Sequence, residues 1–294
     1  MSRRIQIFVL TIIFLLALIS LWFLNRTHIF HAVKYKAATV YVVAHHDDWH
    51  LFMGHDFLKD AMDTNLHVIL IITTSGSDQH KYSMAREAGV MASINYALAF
   101  KNIAPNNTIN YAKIDGRTIP TFRSGNITVF FLRIPDGNSD GKGFAALNNV
   151  SLTKLQNGEI HDIMSADSLN HFKNWEALAH FVKDIVEDEI DSRPLQSLHI
   201  PDTSKVINPA DHPDHTASAY LALDAFNHAG GEHFLYQEYN TELLPANLSP
   251  HDSLEQQQFF NSYNDKVTQI MGFCTTCYSN SYQKWCGRLY KRQN

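Results

Sequence analysis

Residues 38–50 read ATVYVVAHHDDWH. The first seven form an apolar, largely β-branched run with no polar alternation, the pattern of a strand buried on both faces in a helix-covered parallel sheet. The run ends in a loop, His45-His46-Asp47-Asp48, that puts two imidazoles and two carboxylates in successive positions. Residues 67–73 (HVILIIT) predict a second buried strand, closed by Ser75-Gly76-Ser77. Residues 127–134 (ITVFFLRI) predict another, closed by Pro135-Asp136-Gly137, and residues 198–201 a short strand end. Helical patterns occupy about 49–62, 82–100, 174–188, 213–228 and 253–271. Buried strands alternating with helices predict an α/β fold with a mainly parallel sheet flanked by helices.

The bulk numbers bound the function. A chain of 294 residues can bury a large core without disulfide staples. Its net charge of -5 and lack of a Lys/Arg run exclude the clustered basic patch that nucleic acid requires. Residues 7–24 are apolar apart from Thr11 and Ser20 and follow Arg3 and Arg4. They predict an N-terminal transmembrane helix with the chain's start in the cytoplasm. No small-x-small cleavage site follows, which favours an uncleaved anchor over a signal peptide. The expected partition is an anchor and linker over 1–33 and a catalytic domain over 34–294, on the non-cytoplasmic side. Asn106, Asn126, Asn149 and Asn247 begin glycosylation sequons. Cys274, Cys277 and Cys286 are the only cysteines: two can bridge and leave one free, and three do not complete a structural zinc site.

In open α/β sheets, ligands bind outside the carboxyl ends of the strands. The His45–Asp48 loop sits at such an end. A second loop, Asn208-Pro209-Ala210-Asp211-His212-Pro213-Asp214-His215, precedes a helix. Pro213 suits the first helical position and Asp214 the first turn. His212 and His215, three apart, share one side of the helix start. Taken singly, Asp47-Asp48 is an ordinary helix cap and the two histidines are ordinary surface residues. Together the loops supply the stoichiometry of a catalytic zinc, three protein ligands and an open position. His45, Asp48 and His215 provide two nitrogens and an oxygen; by spacing alone, His46 and His50 are also available. Asp47 is placed to act as a base, and His212 to stabilise an oxyanion and protonate a leaving amine. The donor set also suits Fe2+.

The strand with its AHHDD loop and the later HPDH resemble the paired signatures of the PIG-L/LmbE-like zinc de-N-acetylases, A-H-P-D-D-E and H-P-D-H. Met84-Ala85-Arg86-Glu87-Ala88 is similar to that family's R-E-A helix. Residues 131–137 (FLRIPDG) are similar to its strand ending in an Asp-containing turn. The likeness covers roughly 38–227. It implies a Rossmann-like fold and removal of an N-acetyl group from an amino sugar. It makes His45, Asp48 and His215 the zinc ligands, Asp47 the general base and His212 the residue that assists oxyanion and leaving group. It also makes Asp214 a tuning neighbour of His212, and Arg86 and Asp136 substrate contacts. His46 stands where the family has proline, and Trp49 where it has glutamate. Trp49 offers either a sugar-stacking face or a core plug. Two rival functions follow from these departures and from His46 and His50: a non-catalytic carbohydrate-binding protein on the same scaffold, and another metal-dependent hydrolase such as a two-metal phosphoesterase.

Overall fold

The computed structural model describes residues 35–100, 102–277 and 279–294. The predicted membrane span at 7–24 lies outside them. Among the described residues no helix is long and apolar enough to cross a membrane. Ala37–Asn294 form one compact unit.

The strands are β1 (Ala37–Val43), β2 (Leu66–Thr74), β3 (Thr108–Ile114), β4 (Arg117–Ser124), β5 (Ile127–Ile134), the small pair β6 (Ile163–Met164) and β7 (His171–Phe172), β8 (Leu195–Pro201), β9 (Glu232–Tyr236) and β10 (Lys291–Gln293). The helices are α1 (Asp48–Phe52), α2 (Gly54–Met62), α3 (His80–Phe100), α4 (Leu152–Gln156), α5 (Trp175–Ile190), α6 (Pro213–Ala225), α7 (Pro250–Met271) and α8 (Ser281–Trp285). The main sheet runs β10-β9-β8-β1-β2-β5-β4-β3. Its centre, β9-β8-β1-β2-β5, is parallel. Both flanks turn antiparallel.

Alternation along β1 explains the unbroken apolar run. Val40 and Val42 face one core, shared with Phe181 and Val182 of α5 and Leu221 of α6. Tyr41 and Val43 face the other, shared with Phe57 of α2, Ile94 of α3 and Phe259 of α7. Side chains of period two thus enter two cores, and both must be apolar.

Two expectations change. The helix expected over 49–62 is broken at Met53 (φ -123°, ψ 2°) into α1 and α2. Gln256 of α7 donates to the carbonyls of His50 and Leu51, so a partner helix satisfies groups that a continuous helix would bond internally. The β3–β4 hairpin adds two antiparallel strands that the hydrophobic pattern does not announce, because β3 is mostly exposed and β4 contains Pro120. Its sequence signal is Asp115-Gly116, both at positive φ (46° and 71°), a two-residue hairpin turn. Cys274 and Cys277 form a disulfide and Cys286 is free. The Asn126 amide is buried and bonds the carbonyls of Asp63 and Leu66, so the folded chain offers no acceptor at that sequon.

Beneath β1, β8 and β9 lies a polar network. Tyr41 donates to Asp60 at 2.6 Å. Tyr236 and Lys291 donate to Asp56 at 2.5 and 2.6 Å, tying β9 and β10 to α2. Burial, with neighbouring Asp56, pushes the Asp60 carboxyl up to about 6. The unfolded value is about 3.9, so between these values the native state holds the extra proton and stability falls as pH rises. Asp60→Asn is therefore expected to be more stable than the wild type above pH 6 by about 1–2 kcal/mol. The advantage should vanish near pH 4. Paired denaturant melts at pH 4 and 7.5 read this, and a pH-independent difference would contradict it.

Candidate active site

Five loops meet at the carboxyl ends of the parallel strands. They follow β1, β2, β5, β8 and β9, and bring His45–Asp48, Gly76, Asp136–Gly137, Asp211–His215 and Glu238–Tyr239 together. One cavity of about 160 Å³ is lined by His45, Asp47, Asp48, Arg86, Asp136 and His212, together with Leu51, Tyr239, Tyr282 and Trp285. His215 and Asp214 stand immediately behind it, fully buried. Every site residue expected from sequence is thus at one place.

The centre is a triangle of donors. His45 Nδ1 lies 3.1 Å from His215 Nε2. Asp48 Oδ1 lies 3.2 Å from His215 Nε2, and Oδ2 lies 3.5 Å from His45 Nδ1. A tetrahedral site with metal–ligand distances of about 2.0–2.2 Å has edges of about 3.3–3.6 Å, close to those separations, with Asp48 meeting each ring through a different oxygen; His212 also brings a ring nitrogen within 4.8 Å of one each from His45 and His215. Asp48 Oδ2 is also fixed by the His45 backbone N–H at 2.7 Å.

The outer nitrogens of both rings face carboxylates. His45 Nε2 lies 3.5 Å from Asp136 and 3.6 Å from Asp214. His215 Nδ1 bonds Asp211 at 3.0 Å, with Glu238 Oε2 at 2.7 Å but off the hydrogen-bond direction. Metal-ligating histidines have this carboxylate backing as a rule. The electrostatics agree. Burial pulls both imidazoles down, yet Asp48 and the other carboxylates hold them well above their usual value. Burial, then Asp211 and Asp48, push Glu238 well up. This buried acidic nest fits a divalent cation at the point where the three donors converge.

Asp47 is ion-paired to Arg86. Arg86 also donates to the Gly76 carbonyl at 2.8 Å and to Tyr263 at 3.0 Å. Expected as a substrate contact, Arg86 here has three nitrogens engaged by protein and fixes Asp47. His212 is the N-cap of α6: its Nδ1 accepts from the Asp214 N–H at 3.2 Å. Burial, then His45 and His215, pull it down to about 2. Nδ1 is the acceptor, so the proton of the neutral ring sits on Nε2, which is left as a donor. Asp214 sits nearer His45 than His212, whose Nδ1 is 4.0 Å away. Its Oδ2 accepts from the Gly137 N–H at 2.8 Å. A Cβ at position 137 would collide with that carboxylate, so the close approach requires glycine.

His46 and His50 are not part of the centre. His50 bonds Ser93 at 2.7 Å, and the His46 ring stacks on Phe131. Trp49 is fully buried, packed on Phe57 and Phe259, with Nε1 donating to the His46 carbonyl. It is a core plug and offers no face to a sugar. Asp211, Glu238, Tyr239, Tyr282 and Trp285 join the site without having been predicted. Asp211 has a readable signal, standing four residues before His215; Glu238 and the aromatics have none, since only the fold brings them here.

No protein-family model and no curated protein matches the chain. Solved structures similar to it include a deacetylase of the teicoplanin biosynthesis pathway in complex with bog, 13% identical, with a TM-score of 0.48 over 84% of this chain and 90% of that one. A triple mutant of a deacetylase of the same pathway is 12% identical, with a TM-score of 0.44 over 85% and 88%. The N,N'-diacetylchitobiose deacetylase from Pyrococcus horikoshii, complexed with its inhibitor MPG, is 14% identical, with a TM-score of 0.45 over 90% and 85%. What this site can do is decided by its own side chains.

Proposed function

We propose that this protein is a zinc-dependent amide hydrolase that removes the N-acetyl group from an amino sugar. The observation that carries this reading is the convergence of His45 Nδ1, Asp48 and His215 Nε2, each backed by carboxylate or backbone, at the wall of a cavity that also holds Asp47 and His212. His45, Asp48 and His215 would hold a zinc ion, whose Lewis acidity would polarise an amide carbonyl and lower the pKa of water. Asp47, its Oδ1 occupied by Arg86, offers Oδ2 to the proton of the attacking water. His212, with Nε2–H as donor, would stabilise the carbonyl oxygen as it gains charge, and the proton that Asp47 takes from water would pass on to the departing amine. Asp136, near His45 Nε2, keeps that ring oriented while lining the substrate space.

The sugar comes from the resemblance of the two signatures. The apolar run at 7–24 supports a substrate held at a membrane surface. The two-metal phosphoesterase reading gains nothing from His46 and His50, which join none of the clusters of candidate metal ligands among the described residues.

The test is acetate release from a panel of N-acetylhexosamines and their glycosides. Turnover is expected to fall to background after chelation and to return with about one zinc per chain. Zinc-loaded protein that releases no acetate from any member of the panel would sink the proposal.

A further inference from the structure

α3 carries a glycine in its interior, Gly89, that no turn, cap or positive φ requires. Glycine inside a helix costs about 1 kcal/mol against alanine. What lies opposite explains it. A Cβ at position 89 would come within 2.6 and 2.8 Å of the Tyr263 ring carbons Cδ2 and Cε2, and within 2.9 Å of Val267 Cγ2. α7 therefore reaches the backbone of α3 only where α3 has no side chain. Residues 86 and 89 stand three apart on one helix face. The ring seated at Gly89 thus reaches Arg86, and its hydroxyl accepts from Arg86 Nε at 3.0 Å.

Two more rings close the seat. His50 of α1 lies 5.1 Å from the Tyr263 ring, centroid to centroid, and Phe260 stacks on it at 6.0 Å. Tyr263 is buried. A phenylalanine would fill the same space, so packing accounts for the ring but not for its oxygen. The oxygen fixes the plane of a guanidinium. Arg86 is held at three corners: Nε by Tyr263, Nη1 by the Gly76 carbonyl and Nη2 by Asp47. Three contacts define a plane; with two, it can swing about the line that joins them. Nη2 is the corner that grips Asp47 Oδ1, so the plane sets where the other oxygen of that carboxylate lies. Arg86 and Asp47 line the cavity, and Tyr263 stands behind them.

We infer that Tyr263 is a positioning residue that acts through Arg86, fixing the guanidinium that holds Asp47 in place, and that Gly89 is the seat that lets it do so. The consequence for turnover rests on the proposed hydrolysis; the fixing of Arg86 does not. α7 lies beyond residue 227, so the resemblance does not predict this contact.

The experiment compares Tyr263→Phe, which keeps the ring and removes the oxygen, with wild type in full-length, zinc-loaded protein. In acetate release kcat is expected to fall about 10- to 100-fold, the worth of a lost bond to a charged group. KM should stay within about twofold, because Tyr263 does not line the cavity. On an Asp47→Asn background the same substitution should change residual turnover less than about twofold, since the group it positions is gone. Equal factors on both backgrounds would mark a merely structural tyrosine and overturn the proposal, as would an unaltered kcat. Protein carrying isotope-labelled arginine puts the question without turnover. The Arg86 Nε–H resonance, assigned by its loss in Arg86→Lys, should exchange with solvent about 10- to 100-fold faster in Tyr263→Phe. Exchange at the wild-type rate overturns the proposal. Faster exchange in a chain that releases no acetate sinks the hydrolase reading and leaves Tyr263 as the residue that fixes Arg86. If Tyr263→Phe does not fold, Gly89→Ala takes its place with the same expectations, because it pushes the ring from its seat and keeps the hydroxyl.

Discussion

His215→Ala is expected to lose both the bound metal and all measurable deacetylation, while Asp47→Asn keeps the metal and loses about a hundred- to ten-thousand-fold in turnover. The two residues sit in the same cluster but perform different tasks. His215 is fully buried, and its Nε2 faces both His45 and Asp48. Without it two donors remain, and Asp211 and Glu238 surround the space of a lost imidazole. Asp47 lines the same cavity but is held by Arg86 and is not one of the three donors. Metal analysis beside acetate release separates the two outcomes. A full equivalent of tightly held metal in His215→Ala would show that the triangle is not the binding site.

The second large effect concerns stability. Arg133 is a strand residue at φ 54°, a conformation that bulky side chains adopt only when the surroundings enforce it. The enforcement is visible. Glu87 accepts from Arg133 Nε and Nη2 at 2.6 and 2.7 Å, and Asp167 from Nη1 at 3.0 Å. The Arg133 carbonyl accepts from the Ala166 N–H at 2.7 Å. Register between β2 and β5 slips at this point, which swings Asp136 towards His45. Arg133→Ala leaves Glu87, itself buried, with no cation, and is expected to cost about 3–5 kcal/mol. For a domain of this size that is roughly a 10 °C fall in melting temperature. The double variant Glu87→Leu with Arg133→Met should recover most of the loss, because it leaves no buried charge alone. A single variant that melts within a degree of wild type would show the clamp to be ornamental.

Much of this architecture could be read from the chain because it is written in local pattern. β1, β2 and β5 are buried on both faces, so their apolar runs are continuous and unmistakable. The candidate ligands sit at strand ends and a helix cap, where spacing groups them but does not separate His45 from His46 and His50. The elements that escaped are those whose stability is tertiary. β3 is exposed and polar, and β10 is three residues long and held by Lys291 on Asp56 and Arg292 on Asp202. Trp49 was open to two uses, and only the arrival of Phe259 from α7 decides for the core. Tyr282 and Trp285 lie beyond the stretch that resembles known signatures, and nothing local in 281–285 announces that α8 meets the His45 loop.

Arg86 and Glu87 are neighbours on α3 with opposite charges. Arg86 grips Asp47 after β1, and Glu87 grips Arg133 at the end of β5. A helix turns about 100° per residue, so inserting one residue between β2 and this point would bring Arg86 to face Arg133, and deleting one would bring Glu87 to face Asp47. Carboxylate would meet carboxylate beside the base, and the arginine clamp would lose its partner. The segment 75–86 should therefore be closed to length variation in a way that the Asp115-Gly116 turn, at the exposed edge of the sheet, is not. One helix sets the phase of both loops, and the reading frame of the fold is kept there.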